Sequence, residues 1–261
     1  MSKIKTHWHG RVLVVTLNRP AAHNAFDHEM VVALRDIFSS VDKMDPKPHA
    51  AVLQSEGKTF CAGGDLNDMR TLGKADYETN LESARELAEM FRAIRLCSVP
   101  VVARVQGSAF GGGVGLICSC DIAVAAEGSL LALTEARLGL VAGVISPMVI
   151  GKIGLAAART LCLTGDQIDV TEAHRIGMID RVCELENLDD TVHKVVESLL
   201  KGGPTALANI KRLIEGVQSS TFDESFEFTA KMIAEARTSD EAQSALDAFF
   251  NKKPAPWIND D

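Results

Sequence analysis

The chain has 261 residues and a formal net charge of −8 at pH 7, because 35 Asp and Glu outnumber 27 Lys and Arg. Nucleic-acid-binding proteins usually carry a basic excess or basic clusters, so this acidic balance argues against that class. Apolar residues make up 46% of the sequence and charged residues 24%, as is typical of a folded soluble protein. Aromatic residues are only 5%, so we expect a mainly aliphatic core.

Strand-like and helix-like segments alternate through the first two thirds of the chain. Short β-branched runs predict strands at 12–17, 50–54, 99–105 and 122–125, and apolar stripes predict helices at 29–42 and 77–94. This alternation predicts an α/β architecture. From about residue 188 the strand signals disappear, and helices are predicted at 191–200, 205–217, 222–237 and 240–251. We therefore expect a core over residues 1–190 and a C-terminal helical region over 191–261.

Neither a signal peptide nor a membrane span is predicted. The longest weakly polar stretch, residues 138–150, is shorter than the about 20 residues of a spanning helix. The six cysteines form no C-x-x-C pair, so neither disulfides nor a zinc site is expected, and Cys118 and Cys120 in an apolar run are expected to be buried reduced thiols. His7 and His9 could form half of a metal site, but no third ligand lies nearby and a half-exposed strand is the simpler interpretation. A cytoplasmic protein without a metal or a membrane segment is expected.

Two glycine-rich turns, at residues 59–66 and 107–115, each follow a predicted strand. The first amides of a following helix have no intrahelical acceptor, so such turns can hold negative charge. Neither turn fits a nucleotide-phosphate motif, because no Lys-Ser or Lys-Thr follows and the G-x-G-x-x-G spacing fails. Close packing of helix on strand is the alternative for either turn alone. Two such turns, each supplying one backbone N–H, would make an oxyanion hole.

The turns are also similar to the signature turns of a known family. Cys61-Ala62-Gly63-Gly64-Asp65-Leu66 and Gly107-x-Ala109-x-Gly111-Gly112-Gly113 resemble those of the crotonase (enoyl-CoA hydratase/isomerase) superfamily. Further matches follow in the same order along almost the whole chain: Leu17-Asn18-Arg19-Pro20, Asn24-Ala25-Phe26, Cys120-Asp121-Ile122-Ala123, Thr134-Glu135-Ala136-Arg137-Leu138-Gly139, Leu163-Thr164-Gly165, Ala173-x-x-x-Gly177-Met178-Ile179-Asp180 and Phe250-x-Lys252-x-Pro254. The resemblance implies a crotonase-like ββα spiral core with a C-terminal helical trimerisation region, in a homotrimer or homohexamer.

The same resemblance implies an acyl-CoA thioester as substrate, with coenzyme A as part of that substrate and no separate cofactor. The backbone amides of Gly64 and Gly112 would stabilise a thioester enolate. Asp65 is expected to cap a helix rather than to catalyse. The expected substrate-binding residues are Ala62, Gly64, Asp65, Leu66, Asn67, Gly112 and Gly115.

Hydratases of the family usually carry two glutamates, at positions that correspond to Gly115 and Glu135 in this chain, so only the second is present. A lone Glu is commonly a surface residue, but the resemblance makes Glu135 the expected catalyst. Its pKa is expected to be raised beside a desolvated acyl chain, so that it can exchange a proton at C2. Gly115 is expected to leave an open space facing C3, which a bulkier or branched acyl chain could occupy.

The stretch 132–140 followed by Val144-Ile145-Ser146-Pro147 resembles a bacterial hydratase branch that acts on branched or 3-methylglutaconyl-type CoA esters. The resemblance therefore implies an enoyl-CoA hydratase, by syn addition of water to a 2-enoyl-CoA. One glutamate is the natural requirement for moving a double bond, so a Δ3,Δ2-enoyl-CoA isomerase stays open. A thioesterase would use the same oxyanion hole for a tetrahedral intermediate. A non-catalytic acyl-CoA-binding or scaffold protein is the alternative from another class.

Overall fold

Residues 2–258 are described in the computed structural model, and they form a mixed α/β fold with two sheets. The strands in chain order are β1 (Ile4–His9), β2 (Val12–Leu17), β3 (Ala50–Ser55), β4 (Val101–Val105), β5 (Ala109–Phe110), β6 (Ile122–Ala126), β7 (Leu130–Ala132), β8 (Ile168–Asp169) and β9 (Arg181–Cys183). The larger sheet has six strands in the order β1-β2-β3-β4-β6-β9, and the smaller has three in the order β5-β7-β8. β1 pairs antiparallel with β2, and the other pairs of the larger sheet are parallel.

Helices cover both faces of the larger sheet. In chain order they are α1 (His28–Ser39), α2 (Leu66–Leu72), α3 (Tyr77–Arg95), α4 (Gly112–Ser119), α5 (Ser146–Thr164), α6 (Val170–Arg175), α7 (Leu188–Leu200), α8 (Pro204–Ser219), α9 (Phe222–Thr238) and α10 (Asp240–Phe250). Buried side chains of α1, α3, α4 and α5 pack with one face of the sheet in the main core cluster. α7 packs against the opposite face.

The alternation of side chains along β2 shows how the sheet divides the core. Leu13, Val15 and Leu17 belong to the main cluster, whereas Val12 and Val14 belong to the cluster under α7. Because helices cover both faces, every side chain of β2 is buried and the strand is a continuous apolar run.

The strands predicted at 12–17, 50–54, 99–105 and 122–125 are confirmed as β2, β3, β4 and β6, with ends that differ by at most two residues. The predicted helices are confirmed as α1, α3, α7, α8, α9 and α10. The strands β5, β7, β8 and β9 were not predicted, because two or three residues carry no readable periodicity.

The predicted boundary near residue 190 falls inside α7, which begins at Leu188 and packs against the sheet. After α7, α9 contacts both α8 and α10. Four aromatic side chains of α9 and α10 are 60–77% exposed: Phe222, Phe226, Phe249 and Phe250. A role in trimerisation stays a prediction, and residues 259–261 of the predicted helical region lie outside the described residues.

By length and composition α5 is apolar enough to cross a membrane, and it is the one such helix in residues 2–258. Gly154 interrupts it, because its φ of 75° and ψ of 165° are not helical. Each half is therefore shorter than the about 20 residues that a spanning helix needs. Val149, Ile153, Ala158 and Leu161 of this helix pack into the main core, so one side of α5 is a packing face of this fold.

Candidate active site

The two glycine-rich turns lie against each other. The Phe110 N–H donates to the Cys61 carbonyl at 3.0 Å. A Cβ atom placed on Gly63 would lie 3.2 Å from the Gly112 nitrogen, and Gly63 has a φ of +91°, in the left-handed region that favours glycine. The close approach of the two turns therefore requires glycine at position 63.

The two predicted oxyanion donors have their N–H groups available. Gly64 and Gly112 are half-exposed, whereas Gly63, Gly111 and Gly113 beside them are buried. Neither the Gly64 nor the Gly112 N–H donates to an acceptor within residues 2–258. Gly112 begins α4, and the first amides of a helix have no intrahelical acceptor. Adjacent turns with two available N–H groups can stabilise a negatively charged oxygen.

Phe26 joins the two turns. Its N–H donates to the Gly63 carbonyl and its carbonyl accepts from the Asp65 N–H, both at 2.9 Å. Its ring lies against the second turn, since a Cβ atom placed on Gly112 would be 3.0 Å from Phe26 Cε1. Asn24-Ala25-Phe26 is one of the motif matches, but the sequence does not show this role, because the contacts join residues far apart in the chain.

Asp65 caps α2, as predicted. Its Oδ1 accepts from the Asn67 N–H at 2.8 Å, and its Oδ2 accepts from Arg19 Nη1 at 2.5 Å. The Arg19 guanidinium lowers the pKa of this buried carboxyl, which is therefore ionised at neutral pH. A carboxylate held by a cation and an amide supports the turn rather than transferring protons.

The other predicted binding residues flank this turn. The Ala62 N–H donates to the His23 carbonyl at 3.0 Å, and Ala62 is half-buried. Leu66 and Asn67 begin α2 and expose their side chains next to Gly64. Their contact with a substrate stays a prediction.

Glu135 begins the short 3-10 helix Glu135–Leu138 after β7. Its Oε1 lies beside the second turn, 3.1 Å from the position that a Cβ atom on Gly111 would occupy. Its Oε2 is buried and has no hydrogen-bond partner in the part of the chain that the structure describes. Burial raises the pKa of Glu135 above the ordinary 4.5. A partly buried carboxyl of raised pKa beside two available amides is suited to proton transfer at a bound substrate.

Gly115 does not face an open space, so that expectation was wrong. A Cβ atom placed there would lie 3.0 Å from both Ile145 Cβ and Phe91 Cε1, and closer still to Ile145 Cγ2. The space left by the missing side chain is filled by α3 and by the loop before α5, which are distant from Gly115 in sequence. The preference for branched acyl chains that rested on this space loses its physical basis.

Within residues 2–258, no group of three or more His, Cys, Asp or Glu side chains could hold a metal ion. His7 and His9 lie exposed on β1. All six cysteines are free, and burial raises the pKa of the Cys61 thiol to about 12. Cys61, although it belongs to the first turn, is therefore an uncharged packing residue.

Comparison with known proteins gives consistent matches. The family model described as enoyl-CoA hydratase/isomerase matches residues 8–260. A short-chain-enoyl-CoA hydratase of Clostridium acetobutylicum is 28% identical over 250 residues, which cover 94% of this chain and 93% of that protein. A 1,2-epoxyphenylacetyl-CoA isomerase of Escherichia coli is 29% identical over 256 residues, 97% of either chain. The crystal structure of an enoyl-CoA hydratase from Shewanella pealeana has a TM-score of 0.93 at 34% identity, over 98% of this chain and 96% of that chain.

Proposed function

Because this chain belongs to the enoyl-CoA hydratase/isomerase family, we propose that it is an enoyl-CoA hydratase, which adds water to a 2-enoyl-CoA thioester. The observation that carries the proposal is the Glu135 carboxyl beside two turns whose Gly64 and Gly112 amides have no acceptor within residues 2–258. Coenzyme A enters as part of the substrate, and the proposal needs no separate cofactor.

In the proposed reaction, the two amides stabilise the thioester oxygen and the Glu135 carboxyl transfers protons. The thioester oxygen accepts hydrogen bonds from the Gly64 and Gly112 N–H groups. As water adds to C3, the electron pair of the C2=C3 bond moves toward that oxygen, and the amides stabilise the resulting enolate. Glu135 takes a proton from the attacking water and delivers a proton to C2, which completes a syn addition. The raised pKa of Glu135 favours this exchange, because its protonated and ionised forms are closer in free energy at neutral pH.

The pantetheine arm is proposed to pass along the first turn. Ala62, Leu66 and Asn67 flank Gly64 there, and Leu66 and Asn67 have exposed side chains. Asp65 contributes indirectly, since its ion pair with Arg19 holds the start of α2 in place.

A Δ3,Δ2-enoyl-CoA isomerase is the second candidate, and the surroundings of Gly115 favour it. Ile145 and Phe91 fill the space where a second glutamate would lie, so one carboxyl serves the site. Isomerisation needs only one: Glu135 removes a proton from C2 of a 3-enoyl-CoA, the enolate forms, and the proton returns at C4.

The two candidates are separated by incubating the protein with a panel of 2-enoyl-CoA and 3-enoyl-CoA thioesters in D₂O. A hydratase gives a hydroxyacyl-CoA, seen as loss of the enoyl ultraviolet absorbance and a gain of one water in the mass spectrum. An isomerase gives a 2-enoyl-CoA without added water, with deuterium at C2 or C4. Release of free thiol would indicate a thioesterase, and binding without turnover of any thioester would indicate a scaffold protein.

We also propose that the protein assembles as a homotrimer or homohexamer and works in the cytoplasm. Exposed aromatic side chains on α9 and α10 form apolar surface that a partner subunit would cover. Six free cysteines suit a reducing compartment.

A further inference from the structure

Apolar side chains pack over Gly115 of α4, one helical turn after Gly111. Ile145 is 3% exposed and Phe91 is fully buried, and both pack against Gly115 of α4. Gly115 itself is buried. There is therefore no spare volume beside α4 at Gly115, and the side chains that fill this space are apolar.

Glu135 and Ile145 contact successive turns of α4. Glu135 lies against Gly111 and Ile145 lies against Gly115, whose N–H donates to the Gly111 carbonyl at 3.2 Å. Residues four apart on a helix are about 5–6 Å from each other. Since every residue of α4 after the first is buried, Ile145 lies one turn deeper in the protein than the carboxyl.

Backbone hydrogen bonds order the chain near both ends of the segment from Glu135 to Ile145. The Leu140 N–H donates to the Glu135 carbonyl at 3.0 Å, and the Val149 N–H donates to the Ile145 carbonyl at 3.0 Å. Both bonds are local, so the position of Ile145 against Gly115 depends on side-chain packing.

Phe91 is held from the other side. Its ring packs edge-to-face on the Phe26 ring, with centroids 6.2 Å apart and planes at 77°. Phe26 in turn lies against Gly112. Close-packed side chains yield to extra volume only at a cost in free energy, so this wall resists displacement.

We propose that Ile145, backed by Phe91, is a specificity-determining residue that restricts the site to short acyl groups. The inference rests on the proposed function, since it takes the thioester oxygen to lie at Gly112 and C2 to lie at Glu135. From there the acyl chain runs along α4 and meets Ile145 after one helical turn. A short acyl group ends before this side chain, whereas a longer one collides with it.

The test measures affinity for saturated acyl-CoA thioesters, which do not react. Butyryl-, hexanoyl-, octanoyl- and decanoyl-CoA are titrated by calorimetry into wild type, Ile145→Ala and Ile145→Val. Wild type should gain no affinity beyond the shortest chains, whereas Ile145→Ala should gain up to about fourfold per additional buried methylene. Ile145→Ala should therefore bind octanoyl-CoA at least about tenfold more tightly than butyryl-CoA. The gain in affinity with chain length in Ile145→Val should lie between those of wild type and Ile145→Ala.

Ile153→Ala is the matched control, because Ile153 is a buried isoleucine of α5 and 8% exposed. It should keep the wild-type profile of affinity against chain length. Wild-type affinity that rises steadily with chain length would overturn the proposal, as would the same gain in Ile145→Ala and Ile153→Ala. A protein that binds no acyl-CoA would overturn both this inference and the proposed function. If the affinities follow the expected profile but no enoyl-CoA is turned over, the role of Ile145 in chain-length selection is supported and only the proposed enzymatic activity is overturned.

Discussion

Glu135 holds one carboxylate oxygen inside the protein without a hydrogen-bond partner in residues 2–258, which costs free energy whenever that carboxyl is ionised. If Glu135 performs the proton transfers, Glu135→Gln should lower kcat by at least the about 10²–10⁴ that a positioned acid–base group supplies. The amide is nearly isosteric with the carboxyl, so affinity for acyl-CoA should stay within a few-fold. Steady-state kinetics with calorimetric binding tests this, and a variant that keeps a tenth of the wild-type kcat would contradict the role.

The same residue predicts how stability depends on pH. Burial raises the pKa of Glu135 in the folded chain above the ordinary 4.5, so between these two values the folded state binds more protons than the unfolded state. The contribution of Glu135 to the free energy of unfolding therefore falls as pH rises through this interval. Glu135→Gln cannot ionise and should gain stability relative to wild type over the same interval.

Urea denaturation of both proteins, from just below pH 4.5 to neutrality, measures this difference. The advantage of the Gln variant should be smallest at the acid end and largest above the raised pKa. A difference that does not change with pH would mean that the carboxyl is solvated in solution.

Sequence motifs predicted roles for Gly64, Gly112 and Glu135, because each stands at a fixed offset from recognisable neighbours. Neither Ile145 nor Phe91 was predicted to be a site residue. Their role depends on the direction in which a missing side chain at Gly115 would point, and that direction is known only when α3, α4 and the loop before α5 are packed together.

At the scale of elements, the first turn offers a cleaner test of the oxyanion hole than the second. A Cβ atom on Gly112 would crowd the buried Phe26 ring, whereas one on Gly64 would meet the flexible end of Met69, 2.6 Å from its Cε. Gly64→Ala keeps the amide and asks only Met69 to move. Gly64→Pro removes the N–H, which donates to no acceptor within residues 2–258, so no protein hydrogen bond is lost.

Gly64→Pro should lower kcat by about 10²–10³, as expected when one oxyanion donor is deleted, and Gly64→Ala should lose much less. Kinetics on the best enoyl-CoA, with circular dichroism to verify folding, distinguishes the two variants. Equal losses in kcat would mean that glycine at this position serves packing and not the oxyanion.

Periodicity predicted the long elements better than the short ones. β2 and α3 are long enough to show a pattern, and both were predicted almost to their ends. α2 depends on its Asp65 cap and the Arg19 ion pair rather than on an apolar stripe, since none of its side chains is buried. α5 has a dense apolar composition without one regular stripe, because Gly154 rotates its second half relative to its first.

For the molecule as a whole, the family and the crotonase-like α/β fold predicted from ordered motifs are confirmed by the family match over residues 8–260 and the structural likeness at a TM-score of 0.93. Composition and periodicity alone gave only the α/β class. The crotonase-like fold was indicated only by the order in which the family motifs follow one another along the chain. The sequence did not predict which aromatic residues of the helices after α7 are exposed, because in the sequence these residues are indistinguishable from ordinary core positions.

Those aromatic residues carry the last prediction, which concerns assembly. Phe249 is 76% exposed near the end of α10, in a surface groove that α8 and α9 also line. If a partner subunit covers this groove, a lysine in place of the apolar Phe249 ring must lose its hydration there, and assembly weakens. Phe249→Lys suits the test because a cation near a helix C-terminus does not penalise the helix itself.

Sedimentation equilibrium should give wild type a mass of three or six times 28.0 kDa, and Phe249→Lys a smaller mass with an unchanged circular dichroism spectrum. Leu185→Lys is the control, because Leu185 is 56% exposed but lies just before α7, outside α8–α10. A single exposed side chain of this kind is normal in a monomer, so its substitution should leave the mass unchanged. A monomeric wild type, or equal dissociation of both variants, would show that the aromatic face of α9 and α10 does not hold the assembly together.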